Sequence, residues 1–216
     1  MKVYKMIEFI GSKNPKYKWE NIINDLPCKP IKNKGFLDSN GYRQGLWGIY
    51  SKNGKLQSKG SYENDLKNGI CEIYYYNGQL WSKGLYKDGI KDGYWVEYYD
   101  NGQLRSKGLY KDGIKDGYWV EYYDNGQLWF KGSFKNDKKD GIWEYYWDNG
   151  QLRSKGLYKD DKKDGIWEYY DNGQLAGKGQ FKNGKKDGYW EEYHKNGSLR
   201  TKELYNNGVF VKKITD

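Results

Sequence analysis

Histidine is almost missing from this chain: of 216 residues, only His194 carries an imidazole. Cysteine is nearly as scarce, at Cys28 and Cys71. A lone histidine and two distant thiols match no zinc-ligand spacing. Two cysteines also make no disulfide framework, which fits a reducing compartment and gives a cytoplasmic expectation. No apolar run reaches 18 residues, so no transmembrane helix is expected. The N-terminal MKVYKMIEFIGSK is broken by Lys5 and Glu8 and lacks a small-residue cleavage site, unlike a signal peptide. There are only 3 prolines, and aliphatic residues are few, which speaks against a thick, dry core.

What the chain has instead is aromatic residues, glycine and order. It carries 24 Tyr, 10 Trp, 6 Phe and 29 Gly. Tyr and Trp join an apolar body to a polar tip and suit a half-wet surface. Asn-Gly recurs at Asn53, Asn77, Asn101, Asn125, Asn149, Asn172 and Asn196, at intervals of 24 with a single 23. Two further glycine series keep step, one from Gly45 to Gly188 and one from Gly60 to Gly179. A fixed period in this range marks stacked supersecondary units.

One unit reads GYWVEYYDNGQLRSKGLYKDGIKD from Gly93. Two strand-like runs flank Asn-Gly, the strongest local hairpin signal, because a type I′ turn needs φ > 0 at both central residues. The Lys-Asp-Gly-Ile-Lys-Asp-Gly stretch reads as a longer return. Asp137 and Asp161 stand where Gly89 and Gly113 stand, which points to left-handed backbone in that column. With Asn101-Gly102 as a two-residue turn, Asp100 faces Gln103, Tyr99 faces Leu104, Glu97 faces Ser106 and Trp95 faces Gly108. The same count sets Trp47 on Gly60, Trp119 on Gly132 and Trp143 on Gly156, each indole filling the space its glycine leaves. On the other face it sets Glu72 on Lys83, Glu144 on Lys155 and Glu191 on Lys202. The 165–180 hairpin is one residue short. It needs an altered turn or a bulge to keep Trp167 beside Gly179 and on the tryptophan face.

A single hairpin is marginal alone, but hairpins in series make one antiparallel meander. The fold class is therefore mainly β: an elongated, single-layer, twisted antiparallel sheet of tandem β-hairpin repeats. About fourteen strands at ~4.8 Å spacing give roughly 65 Å. Residues 35–208 form about seven repeats. Residues 1–34 read as a small β-α cap, with a helix near 15–26 begun by Asn14-Pro15 and stopped at Pro27. Residues 209–216 read as a capping strand whose edge Lys212, Lys213 and Asp216 protect.

The unit Y-K-D-G-x-K-D-G-x-W-x-E-Y-Y-D-N-G-Q-L resembles the MORN repeat in its bacterial variant form. The Tyr-x-x-Gly-x-x-x-Gly core matches at Tyr86, Gly89 and Gly93, and again at Tyr110, Gly113 and Gly117. The resemblance covers about residues 35–208. It departs at Cys71, where Trp is the rule, and at Asp137 and Asp161, where Gly is. It implies an elongated single-layer sheet used for protein contacts, in some bacterial relatives an antitoxin-like role. Lipid binding has also been proposed for such proteins. Larger ones set a lipid kinase or methyltransferase beside the repeats, and no stretch here is long enough for one.

No catalytic set is legible, so an enzyme is not expected. His194 replaces a strand aromatic and has no marked Ser or Cys partner. The Asp-Gly turns lack the ligand density of a calcium loop, and no glycine-rich loop precedes a helix to cradle phosphate. No cofactor or metal is expected. The net charge of +9 is uneven: residues 1–34 hold eight Lys against Glu8, Glu20 and Asp25, and the remainder holds 30 basic against 26 acidic side chains. That balance disfavours nucleic acid. The reading is a non-enzymatic scaffold that binds another protein, as an interaction module, inhibitor or antitoxin-like partner, or self-associates. The alternative is a peripheral binder of anionic lipid. The candidate binding face is Trp47, Trp95, Tyr99, Trp119, Tyr123, Trp143, Trp167 and Trp190.

Overall fold

The computed structural model describes residues 35–214. The expected β-α cap over 1–34 and its helix lie outside these residues. Eighteen strands make a single antiparallel sheet, from Phe36–Leu37 to Val209–Ile214. Successive strands are neighbours. The exceptions are two interrupted strands: Ile114–Lys115 and Gly117–Tyr122 share one partner, as do Lys138–Lys139 and Gly141–Tyr146. Counting each interrupted strand once, eighteen less two leaves sixteen, against the fourteen expected. The two beyond the repeats lie at the ends: Val209–Ile214 falls in the expected capping strand, and Phe36–Leu37 was not expected. Among the described residues Phe36–Leu37 pairs only with Arg43–Tyr50, and Val209–Ile214 only with Leu199–Asn206, so the sheet does not close on itself. The described residues contain no helix.

The register in the body of each hairpin is the expected one. Trp47 faces Gly60, Trp95 Gly108, Trp119 Gly132 and Trp143 Gly156. Glu72 faces Lys83, Glu144 faces Lys155 and Glu191 faces Lys202.

The turns are a correction: the two types are exchanged. At Asn101-Gly102 the amide of Tyr99 donates to the Gln103 carbonyl at 2.8 Å, and that of Gly102 to Tyr99 at 3.0 Å. This closes a three-residue loop in which only Gly102 has positive φ, 84°. Asn101 is there for its side chain, which accepts from the Gln103 amide at 2.9 Å. Tyr98, not Tyr99, therefore faces Leu104, and Arg105 is the extra residue of a bulge that returns Glu97 to Ser106. Such a loop with a following bulge is a standard hairpin solution. The two-residue turns sit at the other edge. Asp88 and Gly89 have φ of 49° and 80°, between the paired Lys87 and Ile90. Asp65, Asp137 and Asp161 share the second position at φ 65°, as the Gly/Asp column suggested. Two-residue turns twist with the strands; the irregularity displaced from them shows beside Gly93, at φ 108°.

The short hairpin follows from this. Asp171 faces Gln174 across Asn172-Gly173, with φ of 48° and 79°. Its missing residue is the third loop residue, and the bulge between Tyr169 and Tyr170 restores Trp167 to Gly179 as expected. That bulge is not peculiar to it, since all seven Asn-Gly hairpins carry one in the same place.

The indoles do cover glycines, but those of the preceding strand. A methyl group added at Gly84 would lie 2.2 Å from the Trp95 ring, and one at Gly108 2.2 Å from Trp119. Trp95, Trp119, Trp143 and Trp167 each stand between two glycines and lean toward the N-terminal one, while Trp190 stands between Gly179 and Glu203. The hydrogen bond decides the direction: Trp95 Nε1 donates to Leu85 O at 3.0 Å, Trp119 Nε1 to Leu109 O at 2.9 Å and Trp167 Nε1 to Leu157 O at 2.9 Å. A buried indole N–H needs such an acceptor.

Candidate interaction surface

The tryptophan face is a continuous aromatic ladder. Tyr86 meets Trp95 at 5.1 Å between centroids, Tyr110 meets Trp119 at 5.2 Å and Phe134 meets Trp143 at 5.0 Å, all edge-on. The alternation continues through Tyr158, Trp167, Phe181, Trp190 and Tyr205. Over it lies one basic side chain per repeat. The Lys91, Lys163 and Lys186 ammonium groups each sit 4.0 Å from a tryptophan ring centre, with Lys115 at 4.2 Å and Lys139 at 4.6 Å. Burial lowers the Lys91 and Lys139 ammonium pKa values. Burial, Lys139 and Arg153 push Lys163 down to about 8. The basic column was legible as Arg43, Lys67, Lys91, Lys115, Lys139, Lys163 and Lys186, but the sequence reading passed over it.

Of the eight expected surface residues, four are sealed. Trp95, Trp119, Trp143 and Trp167 expose at most 2%. Rings, lysine stems and a backbone carbonyl already occupy them, so a partner cannot reach them while the sheet is intact. Trp47 and Trp190 are half-buried toward the two ends. Tyr99 and Tyr123 sit at the hairpin tips, half-buried.

The tips are where accessible aromatic surface gathers. The bulge residue of successive hairpins is Trp81, Arg105, Trp129 and Arg153. Each lies against the aromatic residue that opens its own loop. Trp81 is 6.2 Å from Tyr75, Arg105 5.7 Å from Tyr99, Trp129 5.8 Å from Tyr123 and Arg153 4.4 Å from Trp147. Trp81, Trp129 and Trp147 expose 40, 39 and 38%. Two shallow depressions open between tips at this edge. One is lined by Tyr74, Tyr75, Tyr76 and Trp81, the other by Leu175, Tyr193 and Lys195. The bulge column was missed because a bulge reverses the alternation that the sequence count assumed.

Side chains fix the tips to one another. Asn77 Nδ2 donates to the Asp100 carbonyl at 3.0 Å, Asn101 to Asp124 at 3.1 Å and Asn125 to Asp148 at 2.8 Å. The Tyr75, Tyr99 and Tyr123 hydroxyls donate to the carbonyls of Tyr98, Tyr122 and Tyr146 at 2.8, 2.7 and 3.0 Å. The opposite edge is stitched by backbone: the Gly89 amide donates to Lys67 O at 2.8 Å, and Gly113 to Lys91 O at 2.9 Å.

The reverse face is not uniformly wet. Glu72 lies between Lys59 at 2.7 Å and Lys83 at 3.0 Å, and Glu191 between Lys178 and Lys202. Lys155 faces Glu144 but gives its ammonium to Glu168, at 2.9 Å, while Lys131 serves Glu144. Burial alone would raise Glu72, but hydrogen bonds from Lys59, Tyr74 and Lys83 outweigh it and hold the carboxyl at about 2. Beside these pairs Tyr118, Ile142, Ile166 and Tyr189 are exposed, one per repeat. Ile142 faces Leu157 and Tyr189 faces Leu204, so this face also carries apolar cross-strand pairs beside its charges.

Among the described residues no cluster of three or more His, Cys, Asp or Glu side chains is arranged to hold a metal ion. No helix there is long and apolar enough to cross a membrane. A family model described as MORN repeat variant matches seven consecutive segments: 43–64, 67–88, 91–112, 115–136, 139–160, 163–183 and 186–207. The chain belongs to the MORN repeat variant family. Each segment opens on the basic residue that lies on the aromatic ladder and closes at the first residue of a tight turn. One MORN unit is therefore one Asn-Gly hairpin with its cation. No curated protein matches the chain.

Proposed function

We propose that this MORN repeat protein is a non-enzymatic scaffold that binds another protein at the hairpin-tip strip, and that it acts in the cytoplasm. MORN repeats are generally interaction or membrane-binding modules. The observation that carries the protein-binding reading is the strip of Trp81, Arg105, Trp129 and Arg153. Its residues are large, partly exposed and held at fixed intervals on a stitched sheet. Tryptophan and arginine are the side chains that dominate protein interfaces. An inhibitory or antitoxin-like role is one form of this reading, in which the captured protein is an enzyme or toxin.

The anionic-lipid reading has less support, because the ladder lysines lie against rings and, on the reverse face, Lys59, Lys83, Lys131, Lys155, Lys178 and Lys202 lie against glutamates. The test is affinity capture from the native cell with the wild-type chain and with Trp129→Ala/Arg153→Glu. The reading requires a partner that the wild type retains and the variant loses. Flotation of both chains equally with vesicles containing anionic lipid, and with no protein partner, overturns it in favour of the membrane.

A further inference from the structure

The tips are spaced by the molecule itself. An asparagine side chain reaches from each tip to the backbone of the next at three junctions in a row, from Asn77 to Asp148. A bridge of that length holds successive tips at about two strand spacings, ~10 Å. Four rungs result, in the order Trp81, Arg105, Trp129, Arg153. Aromatic and cationic rungs alternate. Arg105 and Arg153 stack on aromatic rings, and among the described residues neither has a carboxylate in ion-pair range; Arg105 also acts from farther away on the half-buried Glu121 carboxyl, opposing the rise that burial causes. Arg105 is exposed at a turn edge shared with Asp100 and Asp124, and Arg153 likewise adjoins Asp148. Those aspartates disfavour a dense polyanion and leave room for single, spaced acidic groups.

A polyproline II helix advances ~3.1 Å per residue with three residues per turn, so one of its edges repeats every ~9.3 Å. That is the rung interval within the tolerance of a side chain. Proline rings dock on Trp and Tyr slots, and an extended helix of this kind has little entropy left to lose on binding. A β-strand, repeating one face every ~6.6 Å, does not keep step with the rungs.

We infer that the tip strip is a recognition site for an acidic, proline-rich segment in polyproline II conformation. It runs across the hairpin tips with proline at the Trp81 and Trp129 rungs and an acidic residue at the Arg105 and Arg153 rungs. This rests on the protein-binding reading above and names the chemistry of its partner. The pattern is proline at i and i+6, and Asp or Glu at i+3 and i+9.

The experiment titrates the full chain with the labelled peptide PPPEPPPPPEPP, following anisotropy and tryptophan fluorescence. Two controls are its lysine counterpart PPPKPPPPPKPP and the flexible GSGEGSGSGEGS. The acidic proline peptide is expected to bind saturably and to bind at least ~10-fold more tightly than either control. Trp129→Ala is expected to weaken it by a factor of ~10 or more. Arg105→Glu/Arg153→Glu is expected to reverse the preference, so that the lysine peptide binds better; this gain of binding is one that misfolding cannot mimic. Equal binding of the flexible peptide overturns the conformation. Equal binding of the lysine peptide, or no reversal in the double variant, overturns the arginine rungs. A chain that captures its cellular partner through the strip but binds none of the peptides overturns this inference and leaves the protein-binding reading standing.

Discussion

At the scale of single residues, the fold rests on the fit between an indole and a bare backbone. A methyl group at Gly132 would stand 2.3 Å from the Trp143 ring, which is fully buried and cannot retreat. Gly132→Ala is therefore expected to destabilise by about 1–3 kcal/mol, and Trp143→Ala by about 3–5 kcal/mol, measured by urea unfolding. The clash exists because the ring leans toward the earlier strand, a direction that residue counting did not supply. Counting gave which residues face each other; the choice between two equivalent glycines is made by the carbonyl that takes the indole N–H.

Charge at this scale gives two predictions of opposite sign. Glu72 falls from the ordinary 4.5 to about 2 in the folded chain. Its folded value lies below its unfolded one, so its stabilisation is complete above pH 4.5 and disappears as pH falls toward 2. Glu72→Gln is expected to be less stable at pH 7 and to lose less stability than wild type over that acid window, by chemical unfolding at several pH values. Lys163 falls from 10.5 to about 8, so below pH 8 its charge opposes folding, and the penalty fades as pH rises toward 10.5. Lys163→Met is expected to be more stable than wild type at pH 7, with the difference shrinking by pH 10 in the same assay.

At the scale of the element, the hairpin was legible and its turns were not. Asn-Gly is a strong marker of a reversal, and the strands on either side were placed with the correct partners. The error lay in reading Asn as a left-handed residue when its side chain instead accepts from the Gln103 amide within a three-residue loop opened by Tyr99. In the 165–180 hairpin, where one residue is absent, Asn172 does take left-handed φ. The same shortening ends the row of side-chain bridges. Trp147 stands in the tyrosine column and has no hydroxyl to donate, and the bridges begun at Asn77 stop at Asp148. The tip edge at 147–175 is held by fewer bonds than the edge before it. Its amides are expected to exchange with deuterium before those of 99–127, as read by peptide-resolved mass spectrometry. Equal protection of the two stretches refutes this.

At the scale of the molecule, what was legible followed from the period. One repeated register makes an open meander, and the alternation within it separates a tryptophan face from a Glu/Lys face. What stayed hidden was how a single layer seals its tryptophans. The answer is a second repeating column, the lysines, whose hydrocarbon stems and ammonium groups lie on the rings. A charge read from sequence as solvated surface is here part of the packing. Because contacts run only between neighbouring units, stability should scale with their number. Deleting residues 91–114, one full period, is expected to leave a folded sheet. Its unfolding midpoint should fall, and its tryptophan emission should stay blue-shifted. A red-shifted, unfolded product would show that the units are not interchangeable.

The bulge beside each Asn-Gly tip separates two measurements that a plain hairpin makes with one ruler. Register is set inside the sheet by tryptophan and glycine; loop length is set at the tip, and the bulge absorbs the mismatch. The short unit shows that a residue can be lost from the tip without disturbing the interior. Codon insertions and losses in these loops are therefore nearly silent for folding while they reshape the tips. A lineage of such proteins is free to vary the edge that meets a partner and to keep the same sheet beneath it.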